Sequence, residues 1–171
     1  LPEAAKARIA RRYESFSGVS PINMHTRELV AALQSQLNSQ GPALPIYWGN
    51  RNWHPLLADT MKQMASDGVK RAIAFVTSNF SSYSGCRKYR EDLYEAVCGL
   101  ENPPQIDKLR LGYNHPGFIE GFTERVQNAF REIPEQRRNE SLLFFTAHSL
   151  PESMARQATY QAQLEESCKL V

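Results

Sequence analysis

The sequence predicts an α/β protein built on a mainly parallel, doubly wound sheet. Short apolar runs alternate four times with segments whose apolar residues recur every three or four positions, the pattern of strands followed by helices. No internal repeat or low-complexity linker interrupts this alternation. The runs at residues 72–76 and 142–147 do not alternate with polar residues, as expected of strands covered on both faces.

The first two elements are predicted to be helices. Residues 2–16 are rich in Ala, Arg and Glu and contain no internal breaker, so we expect a helix that ends before Gly18. The second helix should present one apolar stripe to a core, because its leucines are spaced by four. These are Leu29, Leu33 and Leu37.

Strands and helices then alternate. The predicted strands are residues 44–48, 72–76, 106–111 and 142–147. The third should be an edge strand, because Lys108 and Arg110 alternate with leucines. The intervening helices carry apolar stripes, namely Leu57, Met61 and Met64; Tyr89, Leu93 and Val97; and Phe118, Phe122, Val126 and Phe130. A last helix is expected from about residue 159.

Composition limits the class of protein. A chain of 171 residues with 42% hydrophobic and 22% charged residues suits one soluble globular domain and argues against disorder. A net charge of +2, without a cluster of basic residues, gives no argument for binding nucleic acid or an anionic membrane. No apolar run approaches the roughly 18 to 20 residues that a transmembrane helix needs.

The cysteines and the first residues indicate the setting of the chain. Three cysteines at wide spacing, without a C-x-x-C pair, predict reduced thiols and a cytoplasmic protein. The chain begins with neither a signal peptide nor an initiator methionine, so we expect further residues before Leu1.

A site is expected where the predicted strands end. Loops meet at the carboxyl ends of parallel strands, and ligands of open α/β sheets bind there. These loops are rich in amide and hydroxyl groups and hold three of the four histidines of the chain. The loops are residues 49–54, 77–84, 113–116 and 148–151.

His148 is the sharpest candidate in these loops. At the exit of a buried strand, a neutral imidazole can ligate a metal or accept a proton, although a lone histidine there more often bonds a loop carbonyl. A Ser/His hydrolase is disfavoured, because Ser149 is adjacent in the chain and the G-x-S-x-G elbow is absent. His54 and His115 each precede a proline, so helix capping competes with metal ligation there.

Two further residues have two interpretations each. Tyr89 shares an apolar stripe, which favours a core ring, yet its hydroxyl could contact a substrate at the rim. Ser20 precedes Pro21 and could cap the second helix or contribute to a site.

Four segments in order give the chain a resemblance to the ferrochelatases, especially the coproporphyrin-dependent bacterial branch. Residues 12–23 read RYESFSGVSPIN and residues 49–55 read GNRNWHP, similar to the R-Y…G-G-x-S-P-L/I and G-x-R-x-W-x-P segments of that family. Residues 81–89 read SSYSGCRKY, similar to its serine-rich loop. Residues 145–151 read FTAHSLP and match its specific F/S-S/T-A-H-S-L/I-P signature. Ser17 replaces one glycine of the G-G pair.

The resemblance implies an enzyme that inserts ferrous iron into coproporphyrin III or protoporphyrin IX in haem biosynthesis. It implies that His148 is the active-site histidine, which binds ferrous iron or takes pyrrole protons. It places Ser20 and Tyr89 at positions that contact the porphyrin or its propionates, and Arg12 at a nearby basic position suited to a carboxylate. Porphyrin and iron are then substrates, and catalysis requires no cofactor.

The resemblance also implies that residues 1–171 are an incomplete chelatase-like domain. The first strand of the family would precede Leu1. A second domain, with the glutamate that faces the histidine, would follow Val171 after a crossover that starts in this chain. The chain alone is therefore expected to be inactive. Some members bind a 2Fe-2S cluster, for which Cys86 is the candidate internal ligand.

Two other functions remain open from the sequence. A cobalt or nickel chelatase acting on a tetrapyrrole is one, although such enzymes typically use paired histidines and His148 has no evident partner. A porphyrin or haem carrier without catalysis is the other.

Overall fold

The protein is described by a computed structural model, which covers residues 2–171. The helices are α1 (Glu3–Glu14), α2 (Ile22–Gln40), α3 (Leu57–Ser66), α4 (Lys88–Val97), α5 (Pro116–Glu132), α6 (Glu135–Arg138), α7 (Glu152–Ala155) and α8 (Tyr160–Leu170). The strands are β1 (Arg71–Ala74) and β2 (Gln105–Lys108), and a π-turn spans Tyr83–Arg87 directly before α4. The chain divides into two compact units, Leu1–Trp48 and Gly49–Val171.

The first unit holds α1 and α2, and both helices agree with the prediction. The amide of Gly18 donates to the carbonyl oxygen of Tyr13 at 2.7 Å and closes the end of α1. Ser17, which replaces a glycine of the family pattern, takes a φ of 56°, the left-handed region in which glycine is favoured. The expected burial of the leucine stripe is wrong in part, because Leu29 and Leu33 stay exposed.

The predicted strand at residues 44–48 is not formed. A strand needs a neighbouring strand to pair with, whereas here the carbonyl oxygen of Leu44 accepts a hydrogen bond from the side-chain amide of Gln34 at 3.0 Å. The backbone instead makes an isolated bridge between Asn50 and Leu56 just beyond this segment. That bridge closes the loop that carries Arg51.

The core of the second unit lies between α3 and α4. Met61 and Met64, which the periodicity places on one face of α3, are both buried, as predicted. Gly49 lies against the start of α3, where a Cβ atom would come within 2.9 Å of Leu57 Cα. Glycine is therefore required for the loop after residue 48 to approach this helix closely.

The sheet consists of β1 and β2, which are parallel, with Arg71 opposite Gln105 and Ala74 opposite Lys108. The parallel direction confirms the predicted class, a mixed α/β protein. The expectation that both faces of the strand at 72–76 are covered is wrong, because Ile73 is 67% exposed. Exposure alternates along both strands, as in strands with one covered face.

The predicted strand at residues 142–147 has no strand partner among residues 2–171, where β1 and β2 form the sheet. Leu142 is 78% exposed and Phe144 is 79% exposed. An apolar run becomes a strand only when a neighbour supplies the hydrogen bonds of the ladder. The doubly wound sheet is therefore not formed within the part of the chain described.

The starting residues of two helices agree with the prediction from the sequence. Helix α5 begins at Pro116, which stands at its first turn, and α8 begins after Thr159. Phe118 and Phe122 of α5 contact each other with ring centroids 5.0 Å apart. No helix within residues 2–171 has the length and apolar character needed to cross a membrane.

Candidate functional site

His148 lies on an exposed segment, and its ring is fixed by one short hydrogen bond. Nδ1 lies 2.7 Å from the carbonyl oxygen of Ser149. Because a carbonyl oxygen only accepts, Nδ1 carries the proton of the neutral ring. The lone pair of Nε2 is then available to a proton or a metal ion. The bond to a loop carbonyl and a chemical role for the ring are therefore compatible.

The backbone of His148 is anchored by Tyr160, the first residue of α8. The hydroxyl of Tyr160 donates to the carbonyl oxygen of His148 at 2.9 Å. The Tyr160 ring makes an edge contact with Phe80, at a centroid distance of 6.2 Å, and Phe80 makes another with Phe118 at 6.1 Å. A row of aromatic rings thus runs from α5 to the histidine.

Helix α8 gathers loops that lie far apart in the chain. The amide of Ser81 donates to Oε1 of Gln163 at 2.6 Å, which ties the loop after β1 to this helix. The buried hydroxyl of Ser167 donates to the carbonyl oxygen of Tyr113 at 2.7 Å, which ties the loop after β2 to it. Parts of three of the four predicted loops therefore meet at α8.

An apolar cavity of about 570 Å³ lies beside the residues that lead to His148. The backbone segment at residues 145–147 forms one wall, and Phe80 and Phe118 form another. Leu164 of α8 also lines it. The volume lies within the usual range of about 300 to 1,000 Å³ for small-molecule sites.

Tyr89 lies in the first turn of α4 under the guanidinium of Arg51. The Arg51 Cζ atom is 4.7 Å from the centroid of the Tyr89 ring. Nε of Arg51 lies 2.6 Å from Oδ2 of Asp92, and Nη1 donates to the carbonyl oxygen of Ser84 at 3.2 Å. The side chains of Arg51 and Asp92 are only 23% and 16% exposed. Arg51 thus joins the loop after residue 48, the π-turn and α4.

The other oxygen of Asp92 is paired with Lys88. Oδ1 of Asp92 lies 2.6 Å from Nζ of Lys88, one helical turn earlier. Its hydrogen bond to Asp92 raises the pKa of Lys88 above the ordinary value, so this ammonium group remains charged at neutral pH. Asp92 therefore holds two cations at once.

The serine-rich segment forms the π-turn, and the absence of a side chain at Gly85 allows this turn to pack closely. A Cβ atom at Gly85 would lie 2.5 Å from Oγ of Ser78, too close for any other residue. The amide of Gly85 donates to Oγ of Ser82 at 2.9 Å, which caps the turn. The hydroxyl of Tyr83 bonds Glu91 at 2.9 Å, and this bond raises the pKa of Tyr83.

Arg12 and Ser20 lie in the first unit. Arg12 is exposed in the last turn of α1, and its guanidinium has no ion pair within residues 2–171. Oγ of Ser20 accepts a hydrogen bond from the amide of Ile22 at 3.4 Å, at the start of α2. Pro21 directly precedes α2, so this long bond is a local turn contact of Ser20 and not a helix N-cap.

Two of the other histidines have local roles. Nδ1 of His115 accepts a hydrogen bond from the amide of Gly117 at 3.2 Å and caps α5, as the proline beside it suggested. His25 of α2 pairs with Glu28 at 3.3 Å on the exposed face of that helix. His148 therefore stands apart from both, since its ring bonds a carbonyl beside the cavity.

Comparison of the sequence with known proteins identifies a family. The sequence model of the ferrochelatase family matches residues 1–171. The chain belongs to the ferrochelatase family. A protein of Rhodopirellula baltica named ferrochelatase is 48% identical to it over 172 residues, which is 100% of this chain and 49% of that relative.

Two other relatives carry a more specific name. The coproporphyrin III ferrochelatase of Frankia alni is 49% identical over 159 residues, 91% of this chain and 40% of the relative. That of Mycolicibacterium smegmatis is 40% identical over 176 residues, 100% of this chain and 52% of the relative. The chain thus spans about half the length of the ferrochelatases it matches.

Sequence reasoning missed three residues of this ferrochelatase chain. Arg51 lies in the quoted GNRNWHP segment, and that segment was the available signal for it. Asp92 follows Lys88 by four residues, a spacing that predicts the ion pair but not the contact with Arg51. Nothing in the sequence pointed to Tyr160. No hydrogen bond, ion pair or ring contact joins Tyr89 to His148 within residues 49–171.

The cysteines do not form a cluster site by themselves. Cys86, Cys98 and Cys168 are free thiols, and Cys98 is exposed. Over residues 2–171, no group of three or more His, Cys, Asp or Glu side chains could hold a metal ion. The candidacy of Cys86 as one ligand of a 2Fe-2S cluster, with partners from outside this chain, remains a prediction.

Proposed function

We propose that this chain forms the histidine half of the active site of an enzyme that inserts ferrous iron into a porphyrin for haem biosynthesis. Membership of the ferrochelatase family supports the reaction class, a lyase reaction that forms nitrogen–metal bonds. The observation that carries the proposal is the bond from Nδ1 of His148 to the carbonyl oxygen of Ser149 at 2.7 Å. It leaves Nε2 with the free lone pair that such chemistry requires.

The reaction converts a porphyrin and ferrous iron into the metalloporphyrin and two protons. Two pyrrole N–H bonds break while four iron–nitrogen bonds form, so a base near the ring face lowers the barrier. Nε2 of His148 can accept one pyrrole proton at a time and pass it to solvent, because the segment is exposed. The same lone pair can instead bind the incoming ion. An acidic partner from outside this chain would complete the pair.

Three residues are proposed to hold the periphery of the porphyrin. Arg12 is suited to a propionate, because a guanidinium binds a carboxylate with two hydrogen bonds and this one has no ion pair within residues 2–171. The hydroxyls of Ser20 and Tyr89 can each bond a propionate or another polar group of the porphyrin. We further propose that residues 142–147 become a strand of a doubly wound sheet when further strands lie beside them.

Metallation of coproporphyrin III by the full-length gene product that contains this chain tests the proposal. We expect turnover of ferrous iron with coproporphyrin III and slower turnover with protoporphyrin IX, because the Frankia alni and Mycolicibacterium smegmatis relatives are named for the former. The two reactions are followed separately under anaerobic conditions by the change in the visible spectrum. Cobalt and nickel serve as competing metals.

The outcomes separate the alternatives. Porphyrin binding without insertion of any metal would show a carrier and overturn the proposal. Insertion of cobalt or nickel, with ferrous iron inert, would show a different chelatase. Faster metallation of protoporphyrin IX would retain iron insertion and contradict the coproporphyrin preference.

Loss of a peripheral contact should weaken porphyrin binding. Arg12→Ala is expected to raise the Kd for coproporphyrin III roughly 10- to 100-fold, the equivalent of a hydrogen bond to a charged group at about 1.5 to 3 kcal/mol. Ser20→Ala should raise it about fivefold, since one neutral bond contributes about 1 kcal/mol. Binding is measured by quenching of tryptophan fluorescence in the full-length product.

Matched controls come from the same two helices. Arg11→Ala removes an arginine from the same turn as Arg12 but from another face, and Ser39→Ala removes an exposed hydroxyl from α2. Both should leave the Kd within about twofold of the original value. An equal loss of affinity in Arg11→Ala and Arg12→Ala would show a general charge effect and contradict the assignment of Arg12.

A further inference from the structure

We propose that Arg51 is a positioning residue whose guanidinium, fixed by Asp92 and by the Ser84 carbonyl, holds the ring of Tyr89 so that its hydroxyl faces the porphyrin. The inference deepens the proposed function and rests on it for the identity of the ligand that Tyr89 contacts. Its structural part, that Arg51 fixes Tyr89, stands on the geometry alone.

The guanidinium of Arg51 is held by one ion pair and one hydrogen bond, and it lies over the ring of Tyr89. Nε lies 2.6 Å from Oδ2 of Asp92, and Nη1 donates to the carbonyl oxygen of Ser84 at 3.2 Å. An ion pair and a hydrogen bond to two different segments together restrict the orientation of this planar group. Its Cζ lies 4.7 Å from the Tyr89 centroid, inside the roughly 6 Å range of a cation–π contact.

The support for Arg51 is itself fixed. Asp92 and Tyr89 are three residues apart on α4, so their side chains project from one face and Arg51 can contact both. Nζ of Lys88 holds the second oxygen of Asp92 at 2.6 Å. Asp92 is 16% exposed and Arg51 is 23% exposed, which protects the ion pair from much of the screening that weakens surface pairs.

The hydroxyl of Tyr89 is free for a ligand. No hydrogen bond to it occurs within residues 2–171, although the ring is half-buried. A phenol with a fixed ring and an unengaged hydroxyl binds an incoming group with little loss of side-chain freedom. Removing Arg51 should therefore weaken porphyrin binding through Tyr89 and leave the reacting groups unchanged.

The test combines kinetics with a double-mutant cycle in the full-length gene product. Arg51→Gln should raise the KM for coproporphyrin III roughly tenfold, with kcat changed less than about twofold. In a Tyr89→Ala background the same substitution should add less than about twofold, because the residue through which it acts is gone. Arg71→Gln, which breaks the exposed ion pair with Asp107 at 2.9 Å, is the matched control and should leave KM unchanged.

Arg51→Lys separates positioning from simple ion pairing. Lysine keeps the charge opposite Asp92 but has no planar face for the Tyr89 ring, so we expect it to behave as Arg51→Gln does. Arg51→Lys also replaces Arg51→Gln as the test variant if circular dichroism shows that Arg51→Gln does not fold. Full recovery of KM in Arg51→Lys would overturn the proposal, and so would independent effects of Arg51→Gln and Tyr89→Ala in the cycle.

A readout that needs no turnover keeps this inference apart from the proposed function. With 3-fluorotyrosine at position 89, the fluorine chemical shift of the porphyrin-free protein should move in Arg51→Lys and not in Arg71→Gln. An unchanged shift in Arg51→Lys overturns the inference even if the enzyme is active. If the original protein fails to metallate any porphyrin, the proposed function fails, and the role of Tyr89 toward porphyrin fails with it.

Discussion

His148→Ala should lower the rate of iron insertion by the full-length gene product about 100- to 10,000-fold while the protein remains folded. The size follows from the usual contribution of a positioned general base, and a lost metal ligand would have an effect at least as large. Alanine removes both ring nitrogens, including the Nε2 lone pair left free by the Nδ1 bond to the Ser149 carbonyl. The initial rate with coproporphyrin III and ferrous iron measures the loss.

The control for this change is His25→Ala. His25 is an exposed histidine of α2 that pairs with Glu28, so its removal takes away an imidazole without touching the loop at 148–151. Its rate should stay within about twofold of the original. Porphyrin binding by His148→Ala should also persist, because the peripheral contacts remain. Retention of more than a few per cent of activity in His148→Ala would contradict the catalytic assignment.

The helices could be predicted from the sequence because the information that specifies them is local. An apolar stripe at helical spacing places Met61 and Met64 in the core, and Pro116 at the first turn marks the start of α5. Each signal lies within a few residues of the feature it specifies. The prediction that the leucine stripe containing Leu29 is buried was wrong in part, because burial depends on what packs against the helix.

The strands were harder to predict because they too depend on what lies beside them. An apolar run indicates that a segment can be buried, but the hydrogen bonds of a sheet need a partner strand that is distant in the chain. Residues 71–74 find that partner at 105–108, and residues 142–147 find none within residues 2–171. The rule that sites lie at strand ends selects His148 as a candidate even so, since it uses only the change from apolar to polar residues.

The candidate site was predictable where its residues occur in specific segments. Tyr89 and His148 lie in two of the quoted segments, and the structure adds the partners that orient them. Arg51 lies 38 positions before Tyr89, and Tyr160 is the first residue of α8, so no local pattern specifies such contacts. Side-chain networks that join distant segments therefore depend on the fold.

The exposed apolar run should make residues 1–171, expressed alone, self-associate. Leu142 and Phe144 are 78% and 79% exposed, and burying two such side chains yields about 3 to 6 kcal/mol. That energy corresponds to a change in an association constant of roughly 100-fold or more. Light scattering and the fluorescence of an apolar dye measure the effect, and the double substitution Leu142→Ser and Phe144→Ser should reduce both signals.

The control is a pair of equally exposed apolar residues elsewhere. Val19 is 70% exposed and Tyr94 is 71% exposed, so Val19→Ser with Tyr94→Ser removes comparable area without touching the run. This pair should leave self-association largely unchanged, because neither residue lies in a run of consecutive exposed apolar side chains such as residues 142–145. A monomeric chain with a cooperative urea transition and no dye binding would show that residues 142–147 do not need to be buried by another segment.

The same double substitution should have the opposite effect in the full-length gene product. If residues 142–147 form a covered strand there, Leu142→Ser and Phe144→Ser place hydroxyls in a core and remove apolar burial, so the free energy of unfolding should fall by several kcal/mol. A substitution that improves the isolated chain and destabilises the longer protein would identify this run as a strand whose partners lie outside residues 2–171. Unchanged stability of the longer protein would show that the run stays exposed and that the doubly wound sheet does not include it.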